Sequence, residues 1–266
     1  MPPDTAVYAP PRMPAVRLSA VRTRALIRHN AALLLREPGP LAGRMVLPLV
    51  FLVFMRPMYE AAFGRTAGTA GAVVGVLVTF SLLALSIVGS SVLSERVGHT
   101  WDRLRATAAR PAELLAGKGL PVLAAMLTQQ AVVLAFGVLV LGLDVRSPAL
   151  LALVCTAWTA ALLGIGTALG VSARSFGELS AMYDIGGMML SSLGGALVPL
   201  STLPHWVSAV APCSPGYWAV RAFHAALRGD AGATLPACGV LLGFACAASC
   251  LAAVRMTRSG ARSDRL

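Results

Sequence analysis

The chain has 266 residues, of which 57% are hydrophobic and only 12% are charged, and its net charge is +11. Soluble domains are nearer half apolar and about a quarter charged, so the mean hydropathy of +0.75 argues against an ordinary soluble protein. The apolar segments are continuous rather than alternating, which favours membrane-spanning helices over a β-barrel.

The first predicted elements lie before any apolar span. Residues 1–20 are rich in proline and are predicted to form a disordered cytoplasmic N-terminus. Residues 21–36 mix arginines with leucines and Ile27, a composition typical of a helix that lies along the membrane surface. The alternative is the solvated start of a helix. The following prolines, Pro38 and Pro40, then turn the chain toward the first span.

Six apolar runs follow, each close to the roughly 20 residues that a helix needs to cross a bilayer. The predicted spans cover residues 43–63, 70–93, 119–142, 149–172, 179–202 and 234–254. Between the last two, Pro204, Pro212 and Pro215 interrupt residues 203–231, which predicts two short re-entrant helices in the outer interface. The sequence therefore predicts an all-α integral membrane protein, with a six-span domain at 21–254 and a basic cytoplasmic tail at 255–266.

Several glycines recur at intervals of four within the predicted spans. Examples are Gly71 with Gly75 and Gly166 with Gly170. Because small residues let two helix backbones approach closely, this spacing indicates tight packing inside a helix bundle or between subunits.

The basic residues are distributed unequally between the two sides of the predicted bundle. All but five of the 22 fall on the side of the N-terminus, and the exceptions are Arg56, Arg65, Arg146, Arg221 and Arg228. Excess lysine and arginine stay cytoplasmic, so both termini and residues 94–118 are predicted to be cytoplasmic. The positive charge is thus interpreted as a topology signal that also attracts anionic lipid, and not as a nucleic-acid interface.

The cytoplasmic segment between the second and third spans, SERVGHTWDRLRATAARPAELLAGKG, carries eight charges. Asp102 and Arg105 stand at a helical pairing distance, and Trp101 and Leu104 add apolar contacts. The mixture predicts a short amphipathic helix that presents a docking surface. The alternative is an ordinary positively charged loop.

Three groups of residues together form a family pattern. They are Arg36-Glu37-Pro38 before the first span; Glu95-Arg96, Gly98, Asp102-Arg103-Leu104-Arg105 and Gly117-Lys118 in the charged segment; and Pro199, Leu203-Pro204-x-Trp206, Pro212, Pro215 and Tyr217 through Arg221 before the last span. In these residues and in its six-span plan the chain resembles the membrane subunits of ABC-2-type exporters, including the daunorubicin-resistance-like permeases of actinobacteria.

The resemblance implies a bacterial plasma-membrane protein whose charged segment is a coupling helix seated on a separate ATP-binding cassette subunit. The residues that would make this contact are Glu95, Arg96, Trp101, Asp102, Arg103, Leu104 and Arg105. The chain has no Walker A motif of its own, because Gly117-Lys118 is followed by Gly119 and not by serine or threonine. No cofactor is therefore expected in this chain, and the partner would bind ATP and Mg²⁺. Six spans are half of the usual twelve, which implies a dimer with a second copy or a sister permease.

Polar groups inside predicted spans are candidates for a substrate path. Gln129 and Gln130 fall near the middle of the third span, and Asp184 falls in the inner half of the fifth. Asp184 is a candidate to attract a cationic drug, or else to bond Tyr183 or a neighbouring helix. Met188 suits an adaptable apolar ligand, although methionine in a span more often only packs. The four histidines show no ligand spacing, so no metal site is predicted.

The sequence thus predicts the permease subunit of an ATP-driven exporter of a hydrophobic small molecule, such as a drug or antibiotic. One alternative in the same class exports a lipid-linked glycan or a lipid. An ion-coupled carrier that needs no ATPase is a second alternative. A membrane enzyme is a third, but it needs clustered catalytic side chains at one depth, and the sequence offers none.

Overall fold

The computed structural model describes residues 15–36, 38–97, 111–198 and 200–263. Within these ranges the chain is helical, with short turns and no strand. Single 3₁₀ turns occupy Leu200–Thr202 and Ala211–Cys213. The α-helices are α1 (Ala15–Arg36), α2 (Pro38–Phe63), α3 (Arg65–Leu83), α4 (Leu85–Val97), α5 (Pro111–Leu139), α6 (Pro148–Ser172), α7 (Phe176–Leu193), α8 (His205–Val210), α9 (Pro215–Leu227) and α10 (Ala231–Ser263).

Within the described ranges, five helical stretches are long and apolar enough to cross a membrane, as expected of a multi-pass membrane protein. They match the first four predicted spans and the last one, and they cover Ala42–Phe63, Arg65–Ser94, Gly119–Leu139, Pro148–Ser172 and Ala231–Met256. Helices α8 and α9 lie in the segment where two short helices are predicted.

The predicted fifth span at 179–202 differs from the structure. Helix α7 ends at Leu193, and the chain turns at Gly194 and Gly195. Gly195 has a φ of 75°, a left-handed conformation that glycine adopts at little cost. A continuous helix to residue 202 is therefore wrong. Helix α7 includes Glu178 and Asp184 together with several serines and glycines, and its mean hydropathy is therefore lower than that of the five apolar stretches.

The predicted second span is two helices rather than one. Helix α3 ends at Leu83 and α4 begins at Leu85, with Ala84 between them in a turn. No proline causes this break. Beyond the break, a serine hydroxyl bonds back to the helix backbone: Ser90 Oγ donates to the carbonyl of Ser86 (2.6 Å). Such bonds compete with the regular helix ladder and bend helices.

Helix α1 begins at Ala15, inside the segment 1–20 that the sequence predicts to be disordered. Residues from Ala15 to Arg36 contain no proline, which allows the helix to start before the predicted boundary at residue 21. At the other end of the chain α10 continues to Ser263, so much of the predicted tail is helical. The middle of the predicted coupling segment, residues 98–110, lies outside the described residues.

Helix α3 forms the centre of the bundle, and α2 covers one side of it. Almost every residue of α3 between Ala72 and Leu82 is buried. The rings of Phe51 on α2 and Phe80 on α3 meet edge to face, with centroids 5.6 Å apart. Most other large side chains of α2 point outward, and Phe54 is 73% exposed. An apolar face of this size is covered by lipid or by another protein surface.

Helix α6 lies between α4 and α10 and contacts both through glycine. A Cβ atom added at Gly170 would lie 2.7 Å from the carbonyl oxygen of Gly89 on α4, and Gly166 packs against the same helix. A Cβ atom at Gly164 would lie 2.7 Å from the carbonyl oxygen of Ala245 on α10. The close packing that the Gly166–Gly170 spacing predicts is confirmed, since no larger side chain fits at these contacts.

Replacing Gly170 by valine should separate α4 from α6 and destabilise the bundle. Overpacking of this kind costs about 1–3 kcal/mol, which should lower the midpoint of thermal unfolding in detergent by several degrees. Gly239→Val on α10 is the matched control, because no atom lies within 4 Å of a Cβ added there. Equal midpoints for the two variants would show that the α4–α6 contact is not tight.

Candidate functional site

Helix α1 is fixed against the first turns of α5. The side-chain amide of Asn30 donates to the carbonyl oxygen of Gly117 (3.1 Å) and to that of Leu26 in its own helix (3.0 Å). Gly117 is buried, and a Cβ atom added to it would lie 2.6 Å from Leu26 Cβ. Glycine is thus required for this contact. It holds α1 beside the helix that follows the predicted coupling segment.

The predicted coupling residues lie in the segment between α4 and α5, next to this contact in the sequence. Glu95 and Arg96 belong to the last turn of α4. Trp101, Asp102, Arg103, Leu104 and Arg105 are outside the described residues. The assignment of these seven residues to an ATPase contact therefore stays a prediction.

A polar contact connects α2, α4 and α7 near the break at Ala84. Arg44 on α2 donates from Nη2 to the hydroxyl of Ser86 on α4 (2.9 Å). Arg44 also lies close enough to Tyr183 on α7 to interact with it electrostatically. The contact holds the start of α2 against the broken span.

The two predicted glutamines lie inside the bundle. Gln129 and Gln130 on α5 are both buried. Gln130 Nε2 donates to the hydroxyl of Thr159 on α6 (2.8 Å), and that hydroxyl donates to the carbonyl of Cys155 (2.8 Å). Among the described residues, Gln130 Oε1 and the indole nitrogen of Trp158 are buried without a hydrogen-bond partner. These side chains connect α5 to α6 and do not open onto an outer surface.

Asp184 and Met188 lie instead on an outward face of α7, with Ile185. No described residue forms a hydrogen bond or an ion pair with the Asp184 carboxylate. The predicted bond to Tyr183 is wrong, because Tyr183 exchanges a hydrogen bond with Ser180 (3.0 Å). The structure therefore separates the four predicted substrate residues into a buried pair and an exposed pair.

At the opposite end from α1, the turn after α7 is locked against α2 and α3. The Tyr59 hydroxyl on α2 is shared between the carbonyl oxygens of Leu197 (2.6 Å) and Ala196 (3.2 Å). Gly75 on α3 is so close to the Ala196 carbonyl that a Cβ atom would overlap with it. This junction was not predicted from the sequence.

A cavity of about 290 Å³ opens beside this junction, between α2, α3 and α9. Helix α9 begins at Pro215, after an N-cap in which Ser214 Oγ accepts from the backbone nitrogen of Gly216 (3.2 Å). His224 on α9 faces the cavity. Burial, with a smaller contribution from the charge on Arg228, lowers the pKa of His224 from 6.5 to about 4.

The comparison with known families now identifies the architecture. The family profile described as "ABC-2 type transporter" matches residues 21–227, well over half of the 266 residues. The chain belongs to the ABC-2 type transporter family. No curated protein sequence matches it.

Membership in this family gives the general role of the helices. Members of the ABC-2 type transporter family are permease components and not ATPases, so the family implies an ATP-binding cassette partner and a lipid bilayer. The match includes most of α1, the charged segment and the cavity-lining helix α9, and it ends where α9 ends. The predicted family is confirmed.

The cavity of this ABC-2 type chain was not predicted from the sequence, although the residue spacing in α9 indicates it. Tyr217, Val220, Arg221 and His224 stand at positions i, i+3, i+4 and i+7, which places them on one helix face. The nearby Pro204, Pro212 and Pro215 indicate interruptions of the helix, and the periodic face lies in the short helix between them and the last span.

The ABC-2 type chain should lose stability in acid because of His224. The folded state favours the neutral imidazole down to about pH 4, whereas the unfolded chain binds a proton near pH 6.5. The contribution of His224 to the free energy of unfolding is therefore fully present above pH 6.5. It falls toward pH 4, by at most about 1.4 kcal/mol per pH unit. His224→Gln should flatten this part of the profile when unfolding is followed in detergent.

His205→Gln removes an exposed imidazole on the neighbouring helix α8 and is the matched control. It should leave the acid profile unchanged. If His224→Gln and wild type lose stability in parallel between pH 6.5 and 4, burial of His224 is not the cause.

Proposed function

We propose that this chain is the permease subunit of an ATP-driven exporter that moves a hydrophobic small molecule, such as a drug or antibiotic, out of a bacterial cell. The observation that carries the proposal is the family match over residues 21–227, which includes the charged segment between α4 and α5. A permease without a Walker A motif needs a separate subunit to hydrolyse ATP.

The two helices that flank the charged segment would carry force from the ATPase subunits into the helix bundle. Its N-terminal side continues α4, which packs on α6 through Gly89 and Gly170. Its C-terminal side continues into α5, to which Asn30 fastens α1. A coupling helix formed by residues of 98–110 would therefore transmit closure of the ATPase subunits to both helices at once. Mixed charges such as Asp102 and Arg103 would set its register on the ATPase surface.

The outward face of α7 is the best candidate for the substrate path. An ionised carboxylate such as Asp184 is costly against hydrocarbon and normally faces protein or a water-filled cavity. We place this face toward a second permease subunit, so that Asp184 and Met188 line a passage between the two halves. A cationic drug with an apolar body suits such a surface. Gln129 and Gln130 would then support the passage from inside the bundle.

The proposed topology has six membrane passages, both termini in the cytoplasm, and α8 and α9 at the outer face of the plasma membrane. The excess of basic residues on the side of the N-terminus supports it. Helix α7 would be the additional passage, and its lower hydropathy is compatible with a helix that faces another subunit. Export of a lipid or lipid-linked glycan is the second candidate function, since the same exposed face suits an amphiphile.

Reversing two charges in the coupling segment should uncouple the permease from its ATPase. We expect Asp102→Arg with Arg103→Glu to reduce the amount of ATPase that co-purifies with the tagged permease at least tenfold, because like charges would meet in a registered contact. Asp144→Arg with Arg146→Glu is the matched control, as this exposed ion pair (3.7 Å) lies between α5 and α6. Equal co-purification of both double variants would rule out docking through residues 102–103.

Removing the charge of Asp184 should weaken export of cationic substrates selectively. We expect Asp184→Asn to lower the rate for a cationic dye about tenfold in inverted vesicles with ATP, and to leave a neutral dye unaffected. Asp144→Asn removes an exposed carboxylate from a turn and should change neither rate. An Asp184→Asn variant that exports the cation at the wild-type rate would exclude this residue from the path.

A further inference from the structure

The cavity between α2, α3 and α9 has walls of two kinds. Four glycines (Gly71, Gly75, Gly194 and Gly195), together with Leu200 and Val220, make one part narrow and apolar. Tyr217, Arg221 and His224 of α9 bring polar groups to the other part. Because a cavity of about 290 Å³ is near the lower size limit of small-molecule pockets, it fits a headgroup rather than a whole drug.

Helix α9 does not need these polar side chains for its own packing. Its buried face consists of small and apolar residues, such as Ala219, Ala222 and Phe223, which pack into the main core. The residues at 217, 220, 221 and 224 form a second face that points into the cavity. Helix α9 thus packs against the core with one face and presents polar side chains to the cavity with the other. This arrangement is typical of a binding surface.

Among the described residues, the charge on this second face has no acidic counterpart. Arg221 donates from Nη1 to the Tyr217 hydroxyl (3.2 Å) and lies over the Trp218 ring, 5.9 Å from its centroid. In the part of the chain that the structure describes, no carboxylate lines the cavity and none pairs with Arg221. The acidic residue of α2, Glu60, is already bonded to Arg56 and Thr69.

The donors that remain are suited to an oxyanion. A guanidinium carries five N–H groups in a fixed fork, and only one has a described partner here. The Tyr217 hydroxyl accepts from Arg221 and so has its own proton to donate. The His224 imidazole, which also lines the cavity, forms no hydrogen bond with any described side chain. Arginine binds phosphate with this fork in a bidentate manner.

We propose that this cavity binds the anionic phosphate ester of an amphiphile, with Arg221 and Tyr217 on the phosphate and with Gly71, Gly75 and Val220 beside its first carbons. The site is separate from the α7 face, and it depends neither on ATP hydrolysis nor on a particular exported substrate. The phosphate ester belongs either to a membrane lipid headgroup or to a soluble phosphate ester, and the experiment below distinguishes these sources.

The test uses native mass spectrometry of the full-length chain in detergent, without nucleotide or ATPase. One series adds short-chain phosphatidylglycerol, a second adds phosphatidylcholine, and a third adds glycerol phosphate. We expect saturable binding of one phosphatidylglycerol that phosphatidylcholine does not match. Binding of glycerol phosphate with similar affinity would instead assign the site to a soluble phosphate ester, and either result supports the site.

Three variants connect the binding to this cavity. Arg221→Gln should raise the apparent Kd about tenfold or more, as expected for loss of a charge-assisted bidentate contact. Val220→Phe keeps every charge but fills the apolar part, and it should weaken binding as well. Arg146→Gln is the matched control, because this exposed arginine lies at the same end of the bundle and does not line the cavity.

The proposal is overturned if neither anion binds, or if Arg221→Gln and Arg146→Gln bind phosphatidylglycerol as tightly as the wild type does. If Arg221→Gln does not fold, as judged by its thermal unfolding, Val220→Phe still decides the question. Since no nucleotide is present, a negative result here leaves the proposed exporter function untouched, and loss of ATP-driven export would leave the binding result untouched.

Discussion

The close approach of α4 and α6 at Gly89 and Gly170 is the contact on which the remaining arrangement depends. Backbone lies against backbone there, so any side chain at Gly170 would force the two helices apart. Gly117 on α5 also makes a close contact, in this case with the Leu26 side chain of α1. Helices α4 and α5 flank the charged segment of this ABC-2 type transporter chain, and each is thus held against a neighbouring helix by a glycine contact.

The polar groups of the helices fall into two sets, which differ in whether other described residues bond or pair with them. Contacts such as Gln130 to Thr159 and Thr79 to Ser191 (2.6 Å) are short, buried and interhelical, and they fix the positions of neighbouring helices. Asp184 and Arg221 have no oppositely charged partner among the described residues. Both proposals concern surfaces that carry one of these two groups.

Much of the fold could be predicted from the sequence because membrane spans are set by length and hydropathy alone. That rule alone predicts the first four spans and the last one. The turn at Gly195 depends on a left-handed glycine, and no proline marks the break at Ala84, so hydropathy averages conceal both. The substrate residues illustrate the same limit: a sequence places Gln130 and Asp184 in spans, but only tertiary packing decides which one is buried and which one is exposed.

The most direct test of the account is ATP hydrolysis and transport by this chain together with its cassette ATPase in liposomes. We expect the ATPase to co-purify with the chain, its hydrolysis rate to rise with an exported hydrophobic ligand, and ligand movement to stop without ATP. Ligand movement that persists without an ATPase and follows an imposed ion gradient would contradict the account and would identify an ion-coupled carrier.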